Sequence, residues 1–412
     1  MPNIRVKILL FAWTGLLLSV AEARENWALD AAKIYPAPDL PAMSGQVVIT
    51  SAKIQSVGPR RMSASRAPEC NGGVIVAGFQ NSQVHFTGDE FRDARHQRAE
   101  LLEAALTRML TRYGYTAAFD IASERDNTLD LRNRVEDGDV RGPRILTVGG
   151  ALFPAHGLPI YISHLRKELL DNLPQPGSVD EALNVVRENL AAGADGTKLF
   201  LATPQADSTV KRMRPEIAAA ATDETHRRGK LVFAHPTDIQ GVQQALDAHV
   251  DILAHPPLGA PVPWPEPLLK QVLDAGVSMI PTLKLLEFEL AKEHVPAATA
   301  ERLVNESVTE FGRFAASGGQ VLFGTDAGYM TDYDPIREYE LMAKAGLTPM
   351  QILASLTTTP AVRWREQKRR GRVAAGLDAD IVVLEADPAA SSRNFAAVRC
   401  VIRQGKVIYV RQ

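Results

Sequence analysis

Gly196-Thr197-Lys198-Leu199-Phe200, Leu231-Val232-Phe233-Ala234-His235 and Asp251-Ile252-Leu253-Ala254-His255 are three short apolar runs, each carrying a Lys or His at or near its end. Between the first two lies a stretch of helical periodicity, residues 214–228. Strand-like runs alternating with amphipathic helices are the signature of βα units around a parallel sheet. One reactive group at the C-terminal end of successive strands is how a parallel barrel presents chemistry at one rim.

Further runs of the same kind lie at 74–86, 116–121, 144–148, 277–283 and 321–326, which brings the total to eight. Eight parallel strands predict a (β/α)8 TIM barrel. An open doubly wound sheet is the alternative, but no glycine-rich phosphate loop follows the first run. The first run contains His85, with Gln83 two residues before it, and the last ends at Asp326. Side chains two apart share one strand face, so a His-x-His pair would place two imidazoles side by side there. Short β-branched runs at 46–50, 53–57, 380–384, 398–402 and 404–409 flank the barrel region. They predict that both chain ends pair into a small composite β-sandwich. The expected organisation is 24–73 and 367–412 for the sandwich and 74–366 for the barrel.

With 412 residues, 45% hydrophobic and 23% charged, the chain has the composition of a soluble globular protein. A net charge of −2 gives no reason to expect a nucleic-acid partner. The basic cluster from Arg365 to Arg372 reads as a solvated helix end. Residues 1–23 read as an export signal: Arg5 and Lys7, an apolar stretch over 8–20, then Ala21-Glu22-Ala23. A cleaved signal puts the mature chain in the periplasm or outside the cell; an uncleaved anchor is the other reading, and no further membrane contact is expected. Cys70 and Cys400 allow one disulfide after export, although two buried thiols packed as small hydrophobes are the simpler expectation.

Imidazole, carboxylate and carboxylated-lysine ligands suit divalent ions, Zn²⁺ first, with Mn²⁺, Co²⁺ or Ni²⁺ as alternatives. Lys198 carboxylated by CO₂ would present two oxygens and could bridge two ions, with Gly196 leaving room for the modified tip. His235 and His255 would serve one ion, and His85 and Asp326 the other, with Gln83 as a weak or lost ligand. Water activated by such ions attacks a carbonyl, and Asp326 could take its proton and return it to a leaving amine. Each residue also has an ordinary reading: a hydrogen-bonded core histidine, an ion-paired lysine, a turn-forming aspartate. Their occurrence together at strand ends is what favours the metal-site reading. His156, in Phe153-Pro154-Ala155-His156-Gly157, is either a substrate contact on the same rim or a surface-loop histidine. The pocket walls are expected from 149–163, 201–208 and 328–335.

These motifs give the chain its family resemblance. Gly78-Phe79-Gln80-Asn81-Ser82-Gln83-Val84-His85, Gly193-Ala194-Asp195-Gly196-Thr197-Lys198, Gly324-Thr325-Asp326-Ala327-Gly328, Ser355-Leu356-Thr357-Thr358-Thr359-Pro360-Ala361 and Gly376-Leu377-Asp378-Ala379-Asp380-Ile381 carry it. The chain resembles the amidohydrolase superfamily, in particular its secreted imidazolonepropionase-like and Xaa-Pro-dipeptidase-like branch. The resemblance implies one or two divalent metals, a carboxylated bridging lysine at Lys198, and ligands at His85, His235, His255 and Asp326. It implies hydrolysis of a C–N bond in a small amide, dipeptide or cyclic amide, and assembly of copies through barrel helices. Gln83 departs from it, because the pattern has histidine there. Three outcomes stay open: both metals with a weak Gln83 ligand, one metal on Lys198, His235 and His255, or a catalytically silent protein that binds an amide. A lactone or phosphoester hydrolase of the same fold is a further reading.

Overall fold

The computed structural model describes residues 26–61, 67–163, 165, 167–257 and 263–412, so the expected export segment lies outside the described residues. The described residues open on an antiparallel meander, β1 (Asn26–Ile34), β2 (Met43–Thr50) and β3 (Lys53–Gly58), and β4 (Val74–Ala77) then lies parallel to β1. β5 (Phe79–Val84), β6 (Tyr115–Asp120) and β7 (Arg144–Thr147) form a parallel ladder. β8 (Gly196–Phe200) is followed by a small hairpin of β9 (Ala202–Pro204) and β10 (Val210–Arg212). β11 (Leu231–His235), β12 (Ile252–Ala254) and β13 (Ser278–Ile280) continue from β8 as a second parallel ladder. β14 (Ile381–Leu384), β15 (Val398–Arg403) and β16 (Lys406–Val410) end the chain.

The chain ends meet in one seven-stranded sheet of order β16-β15-β14-β4-β1-β2-β3. Its alternating apolar residues, among them Leu29, Ile49, Ile75, Ile381, Val383 and Ile402, share one core. Cys70 and Cys400 do not remain thiols there: they are bonded to each other, with Cα atoms 5.4 Å apart across 330 residues of sequence. That separation suits a disulfide, and burial of both residues in the same core brings it about.

Two expected boundaries change. The run 74–86 is two strands, because the chain breaks at Gly78, and β4 belongs to the terminal sheet rather than the barrel. A Cβ at Gly78 would lie 2.2 Å from Thr116 Oγ1, so only glycine allows this approach to β6. The run 321–326 does not form a ladder strand; Val321 makes a single parallel bridge to Met279, and the Phe323 N–H turns away to Ser355 O at 3.0 Å. Parallel bridges Leu152–Leu199 and Val84–Ala327 also link segments at the edges of the two ladders. The architecture is α/β and TIM-barrel-like, with parallel strands enclosed by helices.

Helix Val179–Ala192 illustrates how the outer layer is specified. Ser178 accepts the Glu181 N–H at its start, and Gly193 closes it in the left-handed region. Among the described residues no helix is long and apolar enough to cross a membrane. The basic cluster is not wholly solvated. Arg370 is buried and contacts Glu366 at 3.2 Å, Asp378 at 3.1 Å and Asp380 at 3.2 Å, because it links the barrel end to the terminal sheet.

Candidate active site

Gln83, His85, Lys198, His235, His255 and Asp326 all line one cavity of about 650 Å³. Local backbone structure aims them there. In the β8–β11 ladder Lys198 pairs with Phe233 and His235 with Phe200, so Lys198 and His235 stand on one face of neighbouring strands. His255 and Asp326 follow their strand segments with φ of 74° and 57°, and Thr237 and Thr282 nearby have 62° and 40°. Each such residue costs on the order of 1–3 kcal/mol, and strain of this kind concentrates at functional sites. Asp326 is held by its N–H, which donates to Gln83 O at 3.0 Å, and the His255 N–H donates to Ile280 O at 2.9 Å.

The side chains fall into two electrostatic groups. Burial pushes the Lys198 amine down to about 7, against the pull of Asp326. Burial also pushes His255 down to about 4 and holds His235 well below its ordinary value, with the neighbouring basic groups adding to the effect. Both rings are therefore neutral at pH 7 and carry a lone pair. They sit edge to face with centroids 5.1 Å apart, and His235 stacks on Phe200 at 5.1 Å.

The second group is ionic. His85 Nε2 lies 2.7 Å from Asp326 Oδ1, and its Nδ1 lies 3.1 Å from the Ala122 carbonyl oxygen. Nδ1 donates to the Ala122 carbonyl, while Nε2 lies in ion-pair range of Asp326 Oδ1, an oxygen without a hydrogen-bond partner among the described residues, so the setting favours the charged ring. Burial opposes this charge, but Asp326 and Asp120 hold the His85 value above normal. Burial likewise opposes the Asp326 carboxylate, while His85, His255 and Gln83 hold it well below the usual range. Gln83 Nε2 lies 3.2 Å from His255 Nε2, and Gln83 Oε1 is buried without a partner. His255 Nδ1 pairs with Thr282 Oγ1, which fixes the ring.

Among the described residues no three His, Cys, Asp or Glu side chains are gathered closely enough to hold an ion by themselves. The donor chemistry nonetheless fits a divalent ion at Lys198, His235 and His255, where two neutral imidazoles face an amine that burial holds close to its neutral form. The Gln83 end offers only an amide oxygen, a neutral and poorer donor.

Two expectations are corrected. Gly196 is not there to make room for the Lys198 tip: a Cβ would lie 2.7 Å from Leu231 O, so the glycine lets β8 pack against β11. His156 is exposed at φ 52° and lies outside the cavity lining, because its turn carries it away from the rim. The expected loops do supply walls, through residues such as Phe153, Tyr161, Pro204 and Tyr329. A further wall, Leu283, Leu285, Leu286 and Glu289 of helix Leu283–Lys292, was not anticipated. Its apolar spacing looks like any core-facing helix. The buried Glu338 carboxylate starts that helix by accepting the Leu283 and Lys284 N–H groups at 2.9 and 2.8 Å, and burial raises it to about 7.

A model of the amidohydrolase family matches residues 74–408. The chain belongs to the amidohydrolase family. Members of the amidohydrolase family generally use divalent metals. Among solved structures, a Xaa-Pro dipeptidase with methionine bound in its active site is similar at 19% identity and TM-score 0.78, covering 94% of this chain and all 100% of that one. A. niger ochratoxinase is 19% identical with TM-score 0.75 over 93% of this chain and 95% of its own. Molinate hydrolase is 19% identical with TM-score 0.73 over 93% and 94%. At these identities the likeness is one of fold. No curated protein sequence matches the chain.

Proposed function

We propose that this amidohydrolase is an exported, metal-dependent hydrolase of a C–N bond in a small amide, built on a closed (β/α)8 barrel. The carrying observation is the buried Lys198 beside two neutral imidazoles and the ionised Asp326 in one cavity. Lys198, taking up CO₂ on its neutral amine, would hold the ion together with His235 and His255. A divalent ion there, Zn²⁺ first, supplies acidified water and polarises the carbonyl. Asp326, held by His85 at 2.7 Å, would take a proton from the attacking water and return it to the leaving nitrogen. The apolar walls exclude bulk water. Parallel bridges between the ladders support barrel closure, and the Cys70–Cys400 disulfide supports an oxidising compartment.

One observation favours a silent, amide-binding protein instead. Gln83 Nε2 already faces His255 Nε2, and His85 already faces Asp326, so four candidate ligands are paired among themselves. Metal analysis with an amide-hydrolysis panel decides between the two readings. Less than about one equivalent of metal, with no turnover after loading, sinks the enzyme reading. Ester or phosphoester turnover without amide turnover would reassign the bond.

A further inference from the structure

The cavity reaches from the reactive groups into a wall with little polarity. Phe153 stacks on Phe200 at 4.2 Å, and the His235 ring lies on the other neighbour of that pair, 5.1 Å from Phe200. Ile162, Leu165 and Leu173 pack with this pair, and Leu285 and Leu286 also line the cavity. A volume of about 650 Å³ accommodates a ligand with one or two rings.

The charges along this wall are of one kind. Among the described lining residues the only basic side chains are Lys198 and the histidines of the reactive cluster. On the amide-hydrolase reading Lys198 is taken up by the ion it would hold, and His85 lies against Asp326. The acids are Asp326, Glu289, Glu293 and Asp89. Lys292 lies beside the wall without lining it, and its ammonium is engaged by Tyr329 Oη at 3.0 Å, Tyr161 O at 3.4 Å and Glu289 at 3.7 Å. Tyr329 in turn donates to Glu289 at 2.7 Å. A ligand carboxylate on this wall would lose its water, meet no free cation among the described lining residues outside the reactive cluster, and face carboxylates of its own sign. An unpaired buried charge is among the most costly groups to accommodate.

We infer that this cavity selects an uncharged amide bearing a bulky apolar or aromatic group, and discriminates against amides that carry a free carboxylate, free dipeptides included. The inference rests on the amide-hydrolase reading and narrows its substrate class. A dipeptide needs a cation to receive its terminus; an N-aryl or N-benzyl amide needs only the apolar wall.

Calorimetry on the full-length protein tests this without depending on turnover. The probes are N-benzyl-3-phenylpropanamide, N-(3-phenylpropanoyl)phenylglycine and the primary amide of the latter, which has its size but no charge. Both neutral compounds should bind at least about tenfold more tightly than the carboxylate. Glu289→Gln with Glu293→Gln should narrow the gap, and an unchanged gap would overturn the charge argument. Equal or tighter binding of the carboxylate overturns the inference. If Lys292→Met, or Arg166→Ala outside the described residues, then removes that binding, the missing cation is identified. Absence of binding by all three probes at about 1 mM overturns it too. Failure of hydrolysis with the binding preference intact removes the enzyme reading and leaves the selectivity standing.

Discussion

The two ladders of the barrel region treat their polar residues differently. In β8-β11-β12-β13 the register is regular, and Lys198, His235 and His255 are held near neutrality by burial. In β5-β6-β7 the register shifts twice along β5, and there His85 lies 2.7 Å from Asp326, which holds its value above normal, while Gln83 stands where an imidazole is expected. One half holds neutral bases, with the His255 Nε2 lone pair already facing the Gln83 amide. The other has satisfied its charges internally. On the proposed metal-dependent reading the two halves would not contribute equally, and the regular half is the one to test first.

The largest effect is expected from Lys198→Met, which removes the amine and keeps the volume. Amide hydrolysis should fall by at least about a thousandfold while the melting temperature holds or rises, because a costly buried amine is gone. Retained activity with an assayed metal equivalent would show that the regular half is not the working one. Acid should come next. The His255 value is about 4 in the folded chain against 6.5 as the reference, so the unfolded chain takes the proton first as pH falls. Its contribution is complete above pH 6.5 and is lost between 6.5 and about 4, amounting to about 3 kcal/mol. Denaturant midpoints of chelated protein across that window check it, and a flat profile would contradict the burial argument.

Thr282→Val removes the partner of His255 Nδ1 without changing shape. Metal affinity should weaken by about 10–100-fold, read by competition with a chelating dye. Gln83→His should sharpen the comparison most directly, with a smaller effect. We expect a second metal equivalent to appear and activity to rise by about tenfold. If neither moves, the irregular half holds no ion with either residue.

Strands β8 and β11 were legible with their bounds, since apolar runs of five residues between helices leave few alternatives. That the six residues line one cavity was legible because their apolar runs, ladder strand or not, point to one rim. The split at Gly78 was not, because it depends on Thr116 of another strand pressing against it. Residues 321–326 look as apolar as a strand, but Asp326 at φ 57° ends the extended conformation, and φ is not written in composition. His156 was misplaced because a loop's direction depends on a turn. The wall helix was overlooked because a cavity and a core want the same leucines. The disulfide needed the terminal sheet, which brings together residues 330 apart.

That sheet also sets an order of events. β4 lies between β1 and β14, so one of its two neighbours comes from near the start of the chain and the other from near the end. During synthesis β1 to β4 emerge first, yet one edge of β4 has no partner until residues 381–384 arrive. Pairing across such a separation is slow, and an open strand edge invites wrong partners meanwhile. The terminal sheet is thus completed only after the strands that carry the cavity residues.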